Sequence, residues 1–90
     1  MYAVPHTVTI TDPSAAEAGL AQVVPRVSGL PGFVAGYWVA RSANKGLALI
    51  MFDSREAAQG FADFLKTAPD EGGVTLDRDS IEVAEVMAHA

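Results

Sequence analysis

Charged side chains that could take part in acid–base chemistry lie near the ends of predicted strands in this 90-residue chain. Glu85 shares one alternating face with Ile81, Val83 and Met87. A carboxyl group in such an apolar row either pairs with an arginine or has a raised pKa, so Glu85 is the candidate general acid or base. Arg41 ends another predicted strand and is the candidate partner of an anionic or phenolate oxygen. The alternatives are that Glu85 reaches water at an edge and that Arg41 is a solvated or interface charge.

Hydroxyl groups alternate with aliphatic side chains along HTVTIT, residues 6–11. Val8 and Ile10 share one side of this predicted strand, and Thr7, Thr9 and Thr11 share the other. If the aliphatic side packs under helices, the hydroxyls lie in the opposite, otherwise apolar layer. Small-ligand pockets have mostly apolar walls with few polar groups, so Thr7 and Thr9 are candidate ligand-binding residues. The alternative is that they are ordinary strand threonines.

Two adjacent aromatic residues, Tyr37 and Trp38, point to opposite sides of a predicted strand. One of them packs under the helices, and the other meets the second face of the sheet, where its ring can stack on a flat ligand. Both are therefore candidate ligand-binding residues, and the alternative for each is a place in the core.

The two histidines lie at the ends of the predicted sheet. His6 opens the first strand and His89 closes the last, and these strands are expected to be antiparallel neighbours. Two histidines without a carboxylate are too few for a metal site, and the chain has no cysteine, so no metal or other cofactor is predicted. An imidazole has a pKa suited to a general base, but positions so near the termini favour frayed ends.

The composition argues against several classes of function. The net charge is -5, and the six basic residues are scattered, whereas a nucleic-acid binder needs a basic stripe. No apolar run approaches the ~20 residues of a membrane-spanning helix. The N-terminus lacks the charged and apolar regions of a signal peptide, so a cytoplasmic location is expected, with neither nucleic acid nor membrane as a partner.

Hydrophobic periodicity predicts four strands and two helices in a single domain, residues 1–90. The first helix begins with Asp12 as N-cap and Pro13 at its first position, and Pro25 should kink or shorten it. The second helix begins with Asp53 as cap, and close packing on the sheet is expected to explain Gly60. The predicted strands are 6–11, 33–41, 47–52 and 81–88, the second helix covers about 54–67, and DEGGVTLDRDS, residues 70–80, is a polar loop.

This order, βαββαβ, is that of the ferredoxin-like split unit. We therefore predict an α+β fold with a four-stranded antiparallel sheet and two helices on one face. The strand 47–52, LALIMF, is apolar at every position, so both of its sides should be covered. A second copy of the chain, packed sheet to sheet as a homodimer, would cover the side that the helices leave open. The alternative is a monomer with an apolar exposed sheet.

Residues 30–65 resemble the antibiotic biosynthesis monooxygenase-like families of the dimeric α+β barrel superfamily. The resemblance lies in PGF, residues 31–33, where the first helix ends, and in FDSREAA, residues 52–58, where the second begins. It implies a homodimer with facing sheets and a cavity. The haem-degrading members are similar to one another in an Asn, Trp and His set whose histidine lies on the second helix, and FADFLKTA, residues 61–68, has no histidine.

Two functions are consistent with these features. The first, which the resemblance implies, is a cofactor-independent monooxygenase-like enzyme acting on a small apolar or aromatic ligand. It needs neither metal nor flavin, because the substrate carbanion itself reduces oxygen. The second is a non-catalytic small-ligand-binding or interaction module. Thermal stabilisation by a ligand without turnover would favour the second.

Overall fold

A computed structural model of the chain describes residues 1–70 and 72–90. Over these residues it is an α+β structure with two α-helices, five β-strands and one short 3-10 helix. The elements are β1 (Tyr2–Ile10), α1 (Pro13–Ser28), β2 (Phe33–Ser42), β3 (Lys45–Phe52), α2 (Arg55–Thr67), β4 (Val74–Leu76), the 3-10 helix (Arg78–Ser80) and β5 (Ala84–Glu85).

The strands form one antiparallel sheet in the order β2-β3-β1-β4, and β5 pairs with the other end of β1. Since β4 and β5 both lie beside β1, they act as two parts of a single fourth strand. The arrangement is compatible with a ferredoxin-like fold, and the predicted α+β class and element order are confirmed.

Both helices pack on one face of the sheet. Alternate residues of β1 and β3 point toward them, including Val4, Ala48, Ile50 and Phe52, which are all buried. The helices contribute Val27 from α1 and four residues from α2 to the same cluster, namely Ala58, Phe61, Ala62 and Leu65. Val8 and Ile10 lie on this side by alternation, as predicted, so Thr7 and Thr9 point away from the helices.

The helix starts follow the expected capping chemistry, with one correction. Asp12 caps α1 by accepting a hydrogen bond from the amide of Ala15 at 3.2 Å. The cap of α2 is Ser54, whose hydroxyl accepts from the amide of Ala57 at 3.2 Å, and not Asp53. Pro25 lies inside α1 without ending it, because it falls in the last turn, where little helix remains to disrupt.

The fourth strand differs most from its prediction. Residues 74–76, placed in a polar loop by their sequence, pair with β1, whereas the strand expected at 81–88 is reduced to Ala84–Glu85. Glu71 of the predicted loop lies outside the described residues. The 3-10 helix separates the two parts, so the sheet edge is interrupted beside the middle of β1.

A proline in β1 explains the interruption. The amides of Thr7 and Thr11 point to the β4 side, where they donate to the Ser80 hydroxyl at 2.9 Å and to the Gly73 carbonyl at 2.8 Å. By alternation the nitrogen of Pro5 faces the same side, and proline has no hydrogen to donate there. A continuous fourth strand would leave one carbonyl unpaired at this point, and the chain instead turns away through the 3-10 helix.

Hydrogen bonds from Arg78 link the 3-10 helix to the C-terminus of α2. Its guanidinium donates to the carbonyls of Leu65 and Ala68 and to the carboxylate of Asp70, the last at 3.0 Å. These carbonyls belong to the last turn, which lacks donors within the helix and carries a partial negative charge. The contact therefore holds the chain after β4 in a fixed position beside the sheet.

Candidate functional site

The side of the sheet away from the helices carries an apolar surface. We call this the open face and define it by Tyr37, Val39, Leu47, Leu49 and Met51. In the strand register Tyr37 lies opposite Leu49, and Val39 lies opposite Leu47. Tyr37 is 56% exposed, and the three β3 residues are half-buried. The unbroken apolar run of β3 is thus explained on one side by the core, and on the other side its three residues are only half-buried in the single chain.

At one end of the open face lies a polar cluster of four side chains, Thr7, Thr9, Lys45 and Asp77. Thr7 Oγ1 donates to Asp77 Oδ2 at 2.8 Å, and Thr9 Oγ1 donates to Asp77 Oδ1 at 3.2 Å. Lys45 Nζ donates to Thr9 Oγ1 at 2.8 Å and lies 3.4 Å from Asp77 Oδ2. Both threonine hydroxyls and both carboxylate oxygens are therefore hydrogen-bonded within the cluster.

These bonds stabilise the ionised form of Asp77. The hydrogen bond from Thr7 is the largest cause, and together with Thr9 and Lys45 it holds the pKa of Asp77 below its ordinary value of 3.8, against a smaller opposing effect of desolvation. Asp77 stays charged at neutral pH and balances the charge of Lys45. A carboxylate in this state is a weak proton acceptor.

Arg41 lies beside the polar cluster. Together with Thr7, Ser42, Lys45, Gly46 and Asp77 it lines an open cleft of about 350 Å³. Arg41 falls at an irregularity of the β2–β3 register, between Ala40 and Ser42. The cleft combines two cations and one anion with the open face next to it, so it suits a ligand that has both a polar and an apolar part.

The structure brings some of the predicted site residues together and separates others. Thr7 and Arg41 line the cleft, Thr9 belongs to the polar cluster, and Tyr37 lies on the open face of the same strand as Arg41. Trp38 points to the other side of the sheet, where it packs against the core. Trp38 therefore does not reach the cleft, because adjacent strand residues point to opposite sides.

Glu85 is remote from Arg41 and from the cleft. It pairs with Tyr2, five positions along β1 from Thr7, which corresponds to about 17 Å. Directly opposite residues of an antiparallel pair point to the same side, and Tyr2 packs toward the core, so Glu85 lies on the helix side, where it is exposed. The two residues predicted for catalysis are not parts of one site.

His6 differs from its prediction as a frayed end. It lies inside β1, is 6% exposed and contacts Phe61 edge-on, with ring centroids 6.4 Å apart. Its Nδ1 lies 3.2 Å from the carbonyl oxygen of Val4. Burial lowers the pKa of His6 below its ordinary value of 6.5, so the core holds it as the neutral imidazole. His89 is exposed near the C-terminus.

Asp77, Lys45 and Ser42 are the cleft residues that the sequence did not point to. The signal for Asp77 was the alternation in VTLD, residues 74–77, which gives Thr75 and Asp77 one side and Val74 and Leu76 the other. The charged residues around this stretch favoured a loop. Pairing of Thr75 with Thr9 places Asp77 next to Thr7.

Within residues 1–70 and 72–90, no group of three or more His, Asp or Glu side chains is placed to hold a metal ion. Neither α-helix in this part of the chain is long and apolar enough to cross a membrane. Comparison of the chain with protein-family models and with curated proteins found no match.

Proposed function

We propose that the protein is a homodimer whose two open faces pack against each other and bind a small, mostly apolar ligand between them. The observation that carries this proposal is the open face itself, an apolar surface that continues into a polar cleft. Pockets for small molecules combine apolar walls with a few polar groups in the same way.

The size of the open face supports a second copy of the chain as its cover. β2 and β3 have ten and eight residues, longer than their sequence suggested. The three long strands, of about eight residues or more, give a face of roughly 14 by 27 Å, or about 390 Å² in projection, and the short β4 and β5 add to it. Side-chain relief brings the accessible area closer to the about 800 Å² per partner that stable complexes bury. The same surface on both partners is the geometry of a two-fold dimer.

Binding without turnover is preferred to catalysis. A cofactor-independent oxygenase needs a base near the substrate and a group that stabilises the resulting oxyanion. Glu85 lies about 17 Å along the sheet from the cleft, and the carboxylate of Asp77 is already hydrogen-bonded to Thr7 and Thr9. The cleft therefore offers binding groups and lacks a well-placed base among the described residues.

A monooxygenase-like enzyme is the second candidate, and Arg41 beside the open face favours it, because a guanidinium can hold a phenolate oxygen. Oxygen uptake by the purified protein, freed of metal and flavin, with a panel of anthrones and quinols tests it. Uptake that Arg41→Gln abolishes would favour the enzyme. If none of these compounds causes oxygen uptake, the result favours ligand binding without turnover.

Light scattering coupled to size exclusion, over a dilution series, tests the dimer. We expect a mass twice that of the 9.4 kDa chain, because burial of the open face stabilises the pair. A mass of one chain at all concentrations would contradict the proposal.

A further inference from the structure

We propose that the cleft recognises the carboxylate of an amphipathic small molecule, with Arg41 as the residue that holds the charged group. The apolar body of the ligand lies over Val39 and Tyr37. This inference rests on the proposed ligand-binding function and specifies its ligand as an aromatic or aliphatic acid.

The charges of the cleft leave one cation for a ligand. Lys45 is 3.4 Å from Asp77 and donates to Thr9, so its charge is balanced within the polar cluster. Arg41 makes no hydrogen bond or ion pair with any residue that the structure describes. An anion entering the cleft therefore meets one positive charge that none of the described residues neutralises.

The hydrogen-bonding groups of the cleft point to the same residue. The hydroxyl of Thr7 donates to Asp77 at 2.8 Å, and the hydroxyl of Ser42 donates to the side-chain oxygen of Asn44 at 3.1 Å. Arg41 is the charged donor left over. A guanidinium presents two parallel N–H groups that match the two oxygens of a carboxylate.

The open face sets the size of the apolar part. Val39 and Tyr37 lie two and four positions from Arg41 along β2, and they are 48% and 56% exposed. At about 3.4 Å per residue they extend about 7 and 14 Å from the charged group. A two-ring aromatic body covers the shorter of these distances and extends toward the Tyr37 ring, and the cleft of about 350 Å³ is within the size range of small-molecule sites.

The test compares 2-naphthoate with its neutral counterpart 2-naphthalenemethanol. Binding of each is measured by isothermal titration to the wild-type protein, to Arg41→Gln and to Lys66→Gln. Lys66→Gln is the matched control, because it removes one positive charge from an exposed position of α2, on the other side of the sheet. Both variants thus change the net charge equally.

We expect wild-type protein to bind 2-naphthoate about tenfold or more tightly than the alcohol, since a charge-assisted pair exceeds a neutral hydrogen bond. Arg41→Gln should lower the affinity for 2-naphthoate to about that for the alcohol, and Lys66→Gln should keep both wild-type affinities. Equal binding of both compounds to wild type and Arg41→Gln would overturn the carboxylate inference alone. Failure of both compounds to bind wild-type protein would overturn the ligand-binding function as well.

Discussion

His6 places a titratable group in the core, between its own strand and Phe61. Because burial lowers its pKa below 6.5, the unfolded chain takes up a proton at a higher pH than the folded chain does. The free energy of unfolding should therefore be highest above pH 6.5 and fall as the pH drops toward the folded-state pKa.

We expect His6→Leu to remove this part of the pH dependence, because leucine has similar bulk and no proton to gain. Urea unfolding at several pH values between about 7 and about 5 gives the slope of the unfolding free energy against pH for wild type and variant. His89→Gln is the control, since it changes an exposed imidazole and should keep the wild-type slope. Equal slopes for wild type and His6→Leu would contradict this explanation.

Asp77 links the polar cluster to stability in the acid range. Its folded-state pKa is below 3.8, so its contribution is complete above that value and is lost as the pH falls through the folded-state pKa. We expect Asp77→Asn to lower the unfolding free energy at neutral pH by about 1 kcal/mol, because its side chain is partly exposed and the ion pair is screened.

Urea unfolding at neutral and acid pH checks this prediction, with Asp79→Asn as the control at an exposed neighbouring position. The difference in unfolding free energy between wild type and Asp77→Asn should be smaller at acid pH. The unfolding free energy of Asp79→Asn should stay near that of wild type at both pH values. A deficit that is the same at both pH values would show that the carboxylate charge is not its cause.

At the scale of elements, Gly60 in α2 lacks the role expected for it. It is exposed, and a methyl group added there would meet nothing within 4 Å. We expect Gly60→Ala to raise the unfolding free energy by up to about 1 kcal/mol, because alanine loses less backbone entropy in a helix. Thermal or urea unfolding measures the gain.

Gly73→Ala is the contrasting variant. Gly73 has φ of 75°, and an added methyl group would lie 2.6 Å from the Asp12 carbonyl oxygen. We expect Gly73→Ala to lower the free energy of unfolding by about 1–2 kcal/mol or more. If Gly60→Ala lowered the free energy of unfolding as much as Gly73→Ala does, α2 would have a neighbour at Gly60 in the functional protein.

The elements that local chemistry determines were predictable from sequence, and those set by distant contacts were not. Asp12 and Pro13 mark the start of α1, and alternation along β1 assigns Thr7 and Thr9 to the open face. The break in the fourth strand depends on Pro5, which is about 75 positions away, and on Arg78, which reaches α2. The polar cluster was missed for the same reason, because Asp77 meets Thr7 only through sheet pairing.

At the scale of the whole molecule, the open face and the helix side of the sheet each carry an exposed aromatic residue. Tyr37 is 56% exposed on the open face, and Phe64 is 61% exposed on α2. If the proposed dimer forms through the open face, we expect Tyr37→Glu to convert it to monomers, because the substitution places a charge in the apolar contact. Phe64→Glu should leave the dimer intact.

Light scattering gives the masses, and circular dichroism shows whether each variant stays folded. Since both side chains are exposed in the single chain, neither substitution removes core packing. A monomer from Phe64→Glu together with a dimer from Tyr37→Glu would transfer the association surface from the sheet to the helices.

The interrupted fourth strand has a consequence for aggregation. A foreign strand adds to a sheet only where an edge offers an unbroken row of amides and carbonyls. One edge here is divided by the 3-10 helix, and β2 at the other edge is irregular near both of its ends. Growth into fibrils by edge-to-edge pairing is therefore discouraged, even though the open face exposes apolar side chains such as Tyr37 and Val39.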